Sequence, residues 1–189
     1  MPVDIPRIER LARELIEALG EDPDREGLVK TPDRVAKAMA FLTSGYRTDV
    51  KALINGAIFT QTTNSMVIVK NIEVYSLCEH HMLPFFGRCH IGYIPTGRVF
   101  GVSKLARLVD MYARRLQLQE RLTEQIASYM AEKLDPQGVM VVIEARHLCV
   151  EMRGIKKPGA LTVTSAIRGI FNTQSVREEF LDLLNRRER

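Results

Sequence analysis

One order of patterns in the last two thirds of the chain constrains its fold more than anything else: strand, strand, helix, helix, strand, strand. Met66–Leu77 and Phe85–Ile94 are rich in β-branched and aromatic residues and read as two strands. Leu105, Leu108, Val109 and Tyr112 then recur at helical spacing, with Ser103 as the cap and an end near Leu116. A second helix, Glu120–Leu134, buries Leu122, Ile126, Tyr129 and Met130, and Pro136 and Gly138 close it. Val139–Arg153 reads as one long strand and Leu161–Ile170 as another. This order predicts an α+β layer, an antiparallel sheet with helices on one face.

Ser175-Val176-Arg177-Glu178 is a capping box for a C-terminal helix that runs into a basic tail, Asn185–Arg189. Near the N-terminus, Ile5, Ile8, Leu11, Leu15 and Leu19 form a helical stripe, with Asp4 as cap and Gly20 as stop. Thr31-Pro32 opens a further helix, Thr31 capping it, with Val35, Ala38, Met39 and Leu42 as its stripe and Gly45 as its end. These two helices have no sheet of their own. Residues 1–60 are therefore expected to form a helical appendage, and residues 61–189 the main domain with its C-terminal helix.

The totals narrow the class of partner. No run approaches the ~20 apolar residues that cross a bilayer, and Met1-Pro2-Val3-Asp4 lacks the layout of a signal peptide. Three cysteines without framework spacing suit reduced thiols or metal ligands in a cytoplasmic protein. A net charge of +4 suits an anionic ligand, but it is too mild and too evenly spread to point to nucleic acid. Neither a membrane nor a nucleic-acid partner is expected.

The chemistry concentrates in two places. Ser76–Pro84 holds half of the four histidines and one of the three cysteines, and His147-Leu148-Cys149 holds another of each. Thiolate and imidazole are the ligands zinc prefers, and an incomplete set split between distant segments fits a catalytic metal better than a scaffolding one. Cys78 and His81 are spaced to chelate one ion from a turn, Cys149 would add a third ligand, and water would take the fourth position. Each residue alone would more often be a buried thiol or a satisfied polar group; two clusters together favour a metal. Spacing does not say which histidines bind metal and which do chemistry. Period-two alternation places His147, Cys149, Glu151 and Arg153 on one face of the long strand. The same alternation puts Cys89 and His90 on opposite faces, Cys89 in the core and His90 at a sheet surface or interface.

Several runs together resemble GTP cyclohydrolase I: Cys78-Glu79-His80-His81, Gly92-Tyr93-Ile94-Pro95, Gly101 to Arg107, Gln117 to Thr123, and His147-Leu148-Cys149. The resemblance extends from about Thr31 to Leu184. It implies the tunnelling fold, a four-stranded antiparallel sheet with two helices between its halves. It implies zinc on Cys78, His81 and Cys149, with His80, His147 and Ser103 catalytic. Water activated by that zinc would attack C8 of GTP while His147 protonates the ring nitrogen. Formate would leave, and His80 and Ser103 would serve later proton transfers on the way to 7,8-dihydroneopterin triphosphate, the first committed step of tetrahydrofolate and pterin synthesis. Glu120, with Gln119 beside it, matches the guanine-binding position, and Lys104, Arg107 and Arg153 match those for the triphosphate. Arg34 is a further candidate for the triphosphate. Relatives assemble as a homodecamer of two stacked pentamers, with sites between subunits.

Two enzymes of the same fold are disfavoured by the Cys78–His81–Cys149 set: a pyruvoyl-tetrahydropterin synthase, expected to bind zinc through histidines alone, and a nitrile reductase, expected to use a nucleophilic cysteine without metal. A non-catalytic zinc-stabilised interaction module would have no need of His80, His147 or Glu120.

Overall fold

The computed structural model of the chain describes residues 2–54 and 56–186; the last three residues of the expected basic tail lie outside them. The N-terminal helices α1 (Ile5–Ala18) and α2 (Thr31–Leu42) pack on each other, and the short α3 (Val50–Ile54) follows. Then come β1 (Ile58–Thr60), β2 (Val67–Cys78), β3 (Pro84–Ile94), β4 (Arg98–Phe100), α4 (Val102–Ala113), β5 (Leu116–Gln117) and α5 (Gln119–Leu134). The chain ends with β6 (Gly138–His147), the four-residue α6 (Leu148–Glu151), β7 (Thr162–Gly169) and α7 (Gln174–Asn185).

The main sheet runs β5-β2-β3-β6-β7. Its four long strands are antiparallel, as expected, with α4 and α5 between the two halves of the chain's strand order. The fifth, β5, pairs in parallel with only Leu77 and Cys78 at the end of β2. A separate ribbon joins β1 to β4.

β6 lies between β3 and β7, and from Gly138 to Ile143 both of its faces are buried. Val139, Val141, Ile143 and Ala145 pack with Leu105, Leu108, Leu122, Ile126 and Met130 of α4 and α5. Met140 and Val142 face the other way, onto Phe171 and Phe180. The helices are therefore not confined to one face: α7 covers part of the opposite one. Glycine at position 92 permits this, since a Cβ there would sit 2.5 Å from the Phe180 ring.

The long strand read through to Arg153 stops at His147. β7 pairs with β6 only as far as Ala145, and β3 ends one residue past its pairing with His147. Without partners for its backbone, the chain turns into α6, where Met152 N–H donates to Leu148 O at 3.0 Å. The face shared by His147, Cys149, Glu151 and Arg153 therefore does not exist as a strand face.

Other local expectations are redrawn in the same way. Asp4 caps α1 as read, accepting from Arg7 N–H at 3.0 Å. Thr31, Ser103 and Ser175 lie inside their helices and cap nothing; the preceding residues Lys30, Gly101 and Thr173 hold the cap positions without side-chain bonds. α2 ends at Leu42, before Gly45, and buries Pro32 and Ala36 while Ala38 is exposed. The stripe residues Ile5, Leu11 and Leu15 of α1, and Leu19 just past its end, are exposed, and only Ala12 of the helix is buried.

Cys89 lies in the main core, and burial pushes its thiol up from its ordinary value. His90, on the opposite face as alternation requires, is buried rather than at the surface. A β-bulge between Val69 and Ile72 turns Asn71 to φ 62°, and its N–H donates to His90 Nδ1 at 3.2 Å. Burial lowers the His90 pKa, Arg88 and Lys70 act in the same sense, and Glu144 opposes them.

Candidate active site

Three chain segments meet at one end of the sheet. The β2–β3 turn closes on Cys78, which donates its N–H to Leu83 O at 2.9 Å and accepts from Met82 N–H at 2.8 Å. Met82 takes φ 54° to complete the reversal. This tight closure folds His81 back, so that its Nδ1 lies 3.9 Å from Cys78 Sγ. The α6 turn brings in Cys149, and the ligand atoms of Cys78, His81 and Cys149 all lie within 4.8 Å of one another.

That donor set fits a tetrahedral ion. Thiolate and imidazole bonds of roughly 2.0–2.3 Å place neighbouring ligand atoms roughly 3.5–3.8 Å apart, close to the Cys78–His81 separation. Burial, and then the neighbouring Cys78, push the Cys149 thiol up, while Arg153 opposes them. A Cys149 thiol so placed resists ionising until a cation joins it, which is the balance a bound metal reverses.

His147, the last residue of β6, lies two residues before Cys149. Its ring stacks on Phe85, its cross-strand partner, with centroids 4.7 Å apart and 6° between planes. Its Nε2 is 2.8 Å from Gln119 Oε1. Burial lowers the His147 pKa, while the Glu120 and Glu151 carboxylates oppose that shift. Gln119 and Glu120 open α5; the first is buried and the second exposed. His80 is exposed beside His81, their rings edge-on at 6.2 Å. Arg153 is also exposed, close enough to Cys149 to favour its thiolate.

The remaining candidates lie elsewhere in the chain. Ser103, Lys104 and Arg107 occupy the first turns of α4, whose far end is tied to the β2 end by the Ser76 hydroxyl donating to Ala113 O at 2.6 Å. At 1.5 Å rise per residue, that length of helix separates Ser103 from Ala113 by about 15 Å. Ser103 and Arg107 are exposed, while Lys104 Nζ donates to Leu53 O at 2.7 Å. Arg34 is exposed on α2.

Sequence reasoning missed two arginine–carboxylate clasps that brace the ligand turns. Arg121 in the first turn of α5 binds both carboxylate oxygens of Glu79, and this hydrogen bonding holds the Glu79 pKa below its ordinary value. Arg146 binds Glu151 in the same way, at 2.8 and 2.6 Å, across the α6 turn, with the Glu151 side chain 7% exposed. Glu79 and Arg121 lie 42 residues apart, and no local pattern links them. Partners outside the ligand shell set the orientation of the ligands, and their loss typically costs about 10–100-fold in metal affinity. Arg121→Met is accordingly expected to release metal to a chelator about 10-fold faster than the parent protein. An unchanged release rate would show that the hairpin turn holds its own shape.

Comparison with known proteins gives a consistent result. Residues 8–185 match the family model described as GTP cyclohydrolase I. The GTP cyclohydrolase 1 of Leptospira biflexa is 57% identical over 178 residues, covering 94% of this chain and 97% of its own. That of Campylobacter jejuni subsp. jejuni is 57% identical over 180 residues, covering 95% of each. A Nostoc relative, GTP cyclohydrolase 1 2, is 57% identical over 173 residues, covering 91% of this chain and 80% of its own.

Proposed function

The chain belongs to the GTP cyclohydrolase I family, and from that premise we propose that it converts GTP and water into 7,8-dihydroneopterin triphosphate and formate. One observation carries the reading: Cys78, His81 and Cys149 converge beside His147, with Glu120 at the adjoining helix start. Zinc is the metal this set suits, held by the two sulfurs and the His81 imidazole. When bound there it supplies Lewis acidity and a water acidic enough to attack near neutral pH.

The chain's own residues do the rest. The Glu120 carboxylate accepts the guanine N1–H and exocyclic amine, at a helix N-terminus whose free N–H groups favour an anion. This fixes the purine so that C8 faces the metal-type group and the ring nitrogen faces His147. His147 gives that nitrogen its proton as the imidazole ring opens, a transfer for which histidine is the commonest side chain. His80, exposed at the same turn, and Ser103, brought by α4 of a neighbouring subunit, serve the proton transfers that follow loss of formate.

Arg153 reaches the triphosphate from beside the metal-type group, as a forked guanidinium suited to phosphate oxygens. Lys104, Arg107 and Arg34 bind the same triphosphate from a neighbouring subunit, because within one chain α4 carries the first two about 9–14 Å along the helix from the end that meets β2. Homo-oligomerisation into two stacked pentamers supplies that neighbour. Its support is the geometry of the sheet: β7 pairs on one side only, and β2 from Val67 to Ser76 has no second strand partner among the described residues. The exposed apolar stripe of α1 adds further surface to cover. No helix among the described residues is long and apolar enough to cross a membrane, and the three free cysteines suit a reducing cytoplasm.

The test is incubation of the zinc-loaded protein with GTP and, separately, ATP. Formate and pterin are expected in equal amounts from GTP and not from ATP, whose adenine offers no N1–H or 2-amino group to Glu120. A site built on such hydrogen bonds rejects an analogue lacking them by about 10⁴-fold. Glu120→Ala is expected to lose at least about 100-fold in kcat/KM for GTP. Equal turnover of ATP, or an unaffected Glu120→Ala variant, would remove guanine recognition from this site.

A further inference from the structure

We propose that Gln119 is a positioning residue for His147 rather than a contact for the purine. It holds His147 with a proton on Nε2 and leaves Nδ1 as the atom that exchanges protons with substrate. The inference rests on the cyclohydrolase reading for the identity of that substrate, and on geometry for the rest.

Gln119 is 1% exposed, and its amide is engaged at both ends. The nitrogen lies 3.0 Å from Ile143 O, 3.0 Å from Thr162 O and 3.2 Å from Thr164 Oγ1. Two of these partners are backbone carbonyls, which only accept, so the NH₂ group must face them. The amide oxygen is thereby forced to the other side, where it meets His147 Nε2 at 2.8 Å. An amide oxygen also only accepts, so Nε2 must carry hydrogen whether the ring is neutral or charged. Among the described residues, Nδ1 has no hydrogen-bond partner.

The bracing around the amide is cyclic. Thr123 Oγ1 donates to Gln119 O at 2.8 Å, and Thr164 Oγ1 lies 2.7 Å from Thr123 Oγ1. With the Thr123 proton committed to the carbonyl, Thr164 must donate to Thr123, and its oxygen is left facing the two amide hydrogens that the carbonyls of Ile143 and Thr162 also share. The orientation of the amide is therefore set by α5, β6 and β7 together, and the Phe85 stack fixes the plane of the imidazole. A purine contact would have to break this set, whereas Glu120, the next residue, is exposed and free of that demand.

The experiment pairs kinetics with a spectroscopic measurement on the full zinc-loaded protein. In Gln119→Met and Gln119→Glu, kcat for GTP is expected to fall about 100-fold, the lower end of what general acid–base groups contribute. GTP affinity and bound zinc should stay near parent values. Weakened GTP binding with kcat preserved would overturn the proposal and make Gln119 a purine contact. Loss of the Gln119 amide also strands two buried carbonyls, so the variants can fail to fold. The parent protein therefore supplies the second arm: ¹⁵N-histidine spectra should show His147 with Nε2 protonated and Nδ1 bare, and the reverse pattern would overturn the proposal. Failure of the cyclohydrolase reading would show separately, as a parent protein that binds zinc but releases no formate from GTP.

Discussion

Cys149→Ala is expected to give a folded protein that no longer retains metal through chelation and makes no formate from GTP. Losing a partner outside the ligand shell typically costs about 10–100-fold in metal affinity, and losing one of only three protein ligands must cost more. The fold should survive because Cys149 is only partly buried, on the four-residue α6 turn at the edge of the main core. The sheet and both helix layers close without it. Metal content after dialysis against chelator, read beside the thermal transition, checks the two halves of this expectation. Tight stoichiometric metal in the variant would mean that Cys149 is not a ligand and that the geometric grouping has misled.

His147→Ala should separate chemistry from metal. Its side chain lies outside the ligand group, so zinc is expected to stay bound while kcat falls by about 10²–10⁴, the range associated with a general acid–base residue. GTP should still bind, because Glu120 and the cationic residues are untouched. Formate and pterin must be followed separately, since a variant that releases formate at the parent rate but forms no pterin would move His147 to the later steps. Activity within a few-fold of the parent would remove it from the mechanism.

What the sequence could disclose followed the range of the interactions involved. Cys78 and His81 were legible because three residues of spacing suffice for chelation from a turn, and the turn formed. The alternation along β3 correctly separated Cys89 from His90. It could not report that His90 is buried, because that depends on the bulge at Asn71 on another strand. Alternation also carried β6 too far: the residues up to Arg153 retain strand-like character, but a strand needs neighbours, and β7 and β3 run out near His147. Gln119 was recognised as part of the site but placed against the purine. Its partners at Ile143, Thr162 and Thr164 lie 24 to 45 residues away, beyond the reach of any local pattern. The Glu79–Arg121 clasp was invisible for the same reason. Ser103, Lys104 and Arg107 came from one motif with the expectation of a site shared between subunits, and one chain carries them in the first half of α4, away from the Ala113 end that meets β2.

The position of the ligand turns has a consequence for cohesion as well as for chemistry. Cys78 and His81 close the hairpin at one end of β3, and Cys149 follows directly on β6. An ion held by all three ties together two points of the backbone that enclose β3, α4, α5 and β6. In polymer terms this is a reversible cross-link around most of the domain, and it restricts the unfolded chain much as a disulfide of similar span would. Because ion binding favours the folded form, metal supply and folding equilibrium are linked. A shortage of the ion would therefore slacken the domain as well as silence it.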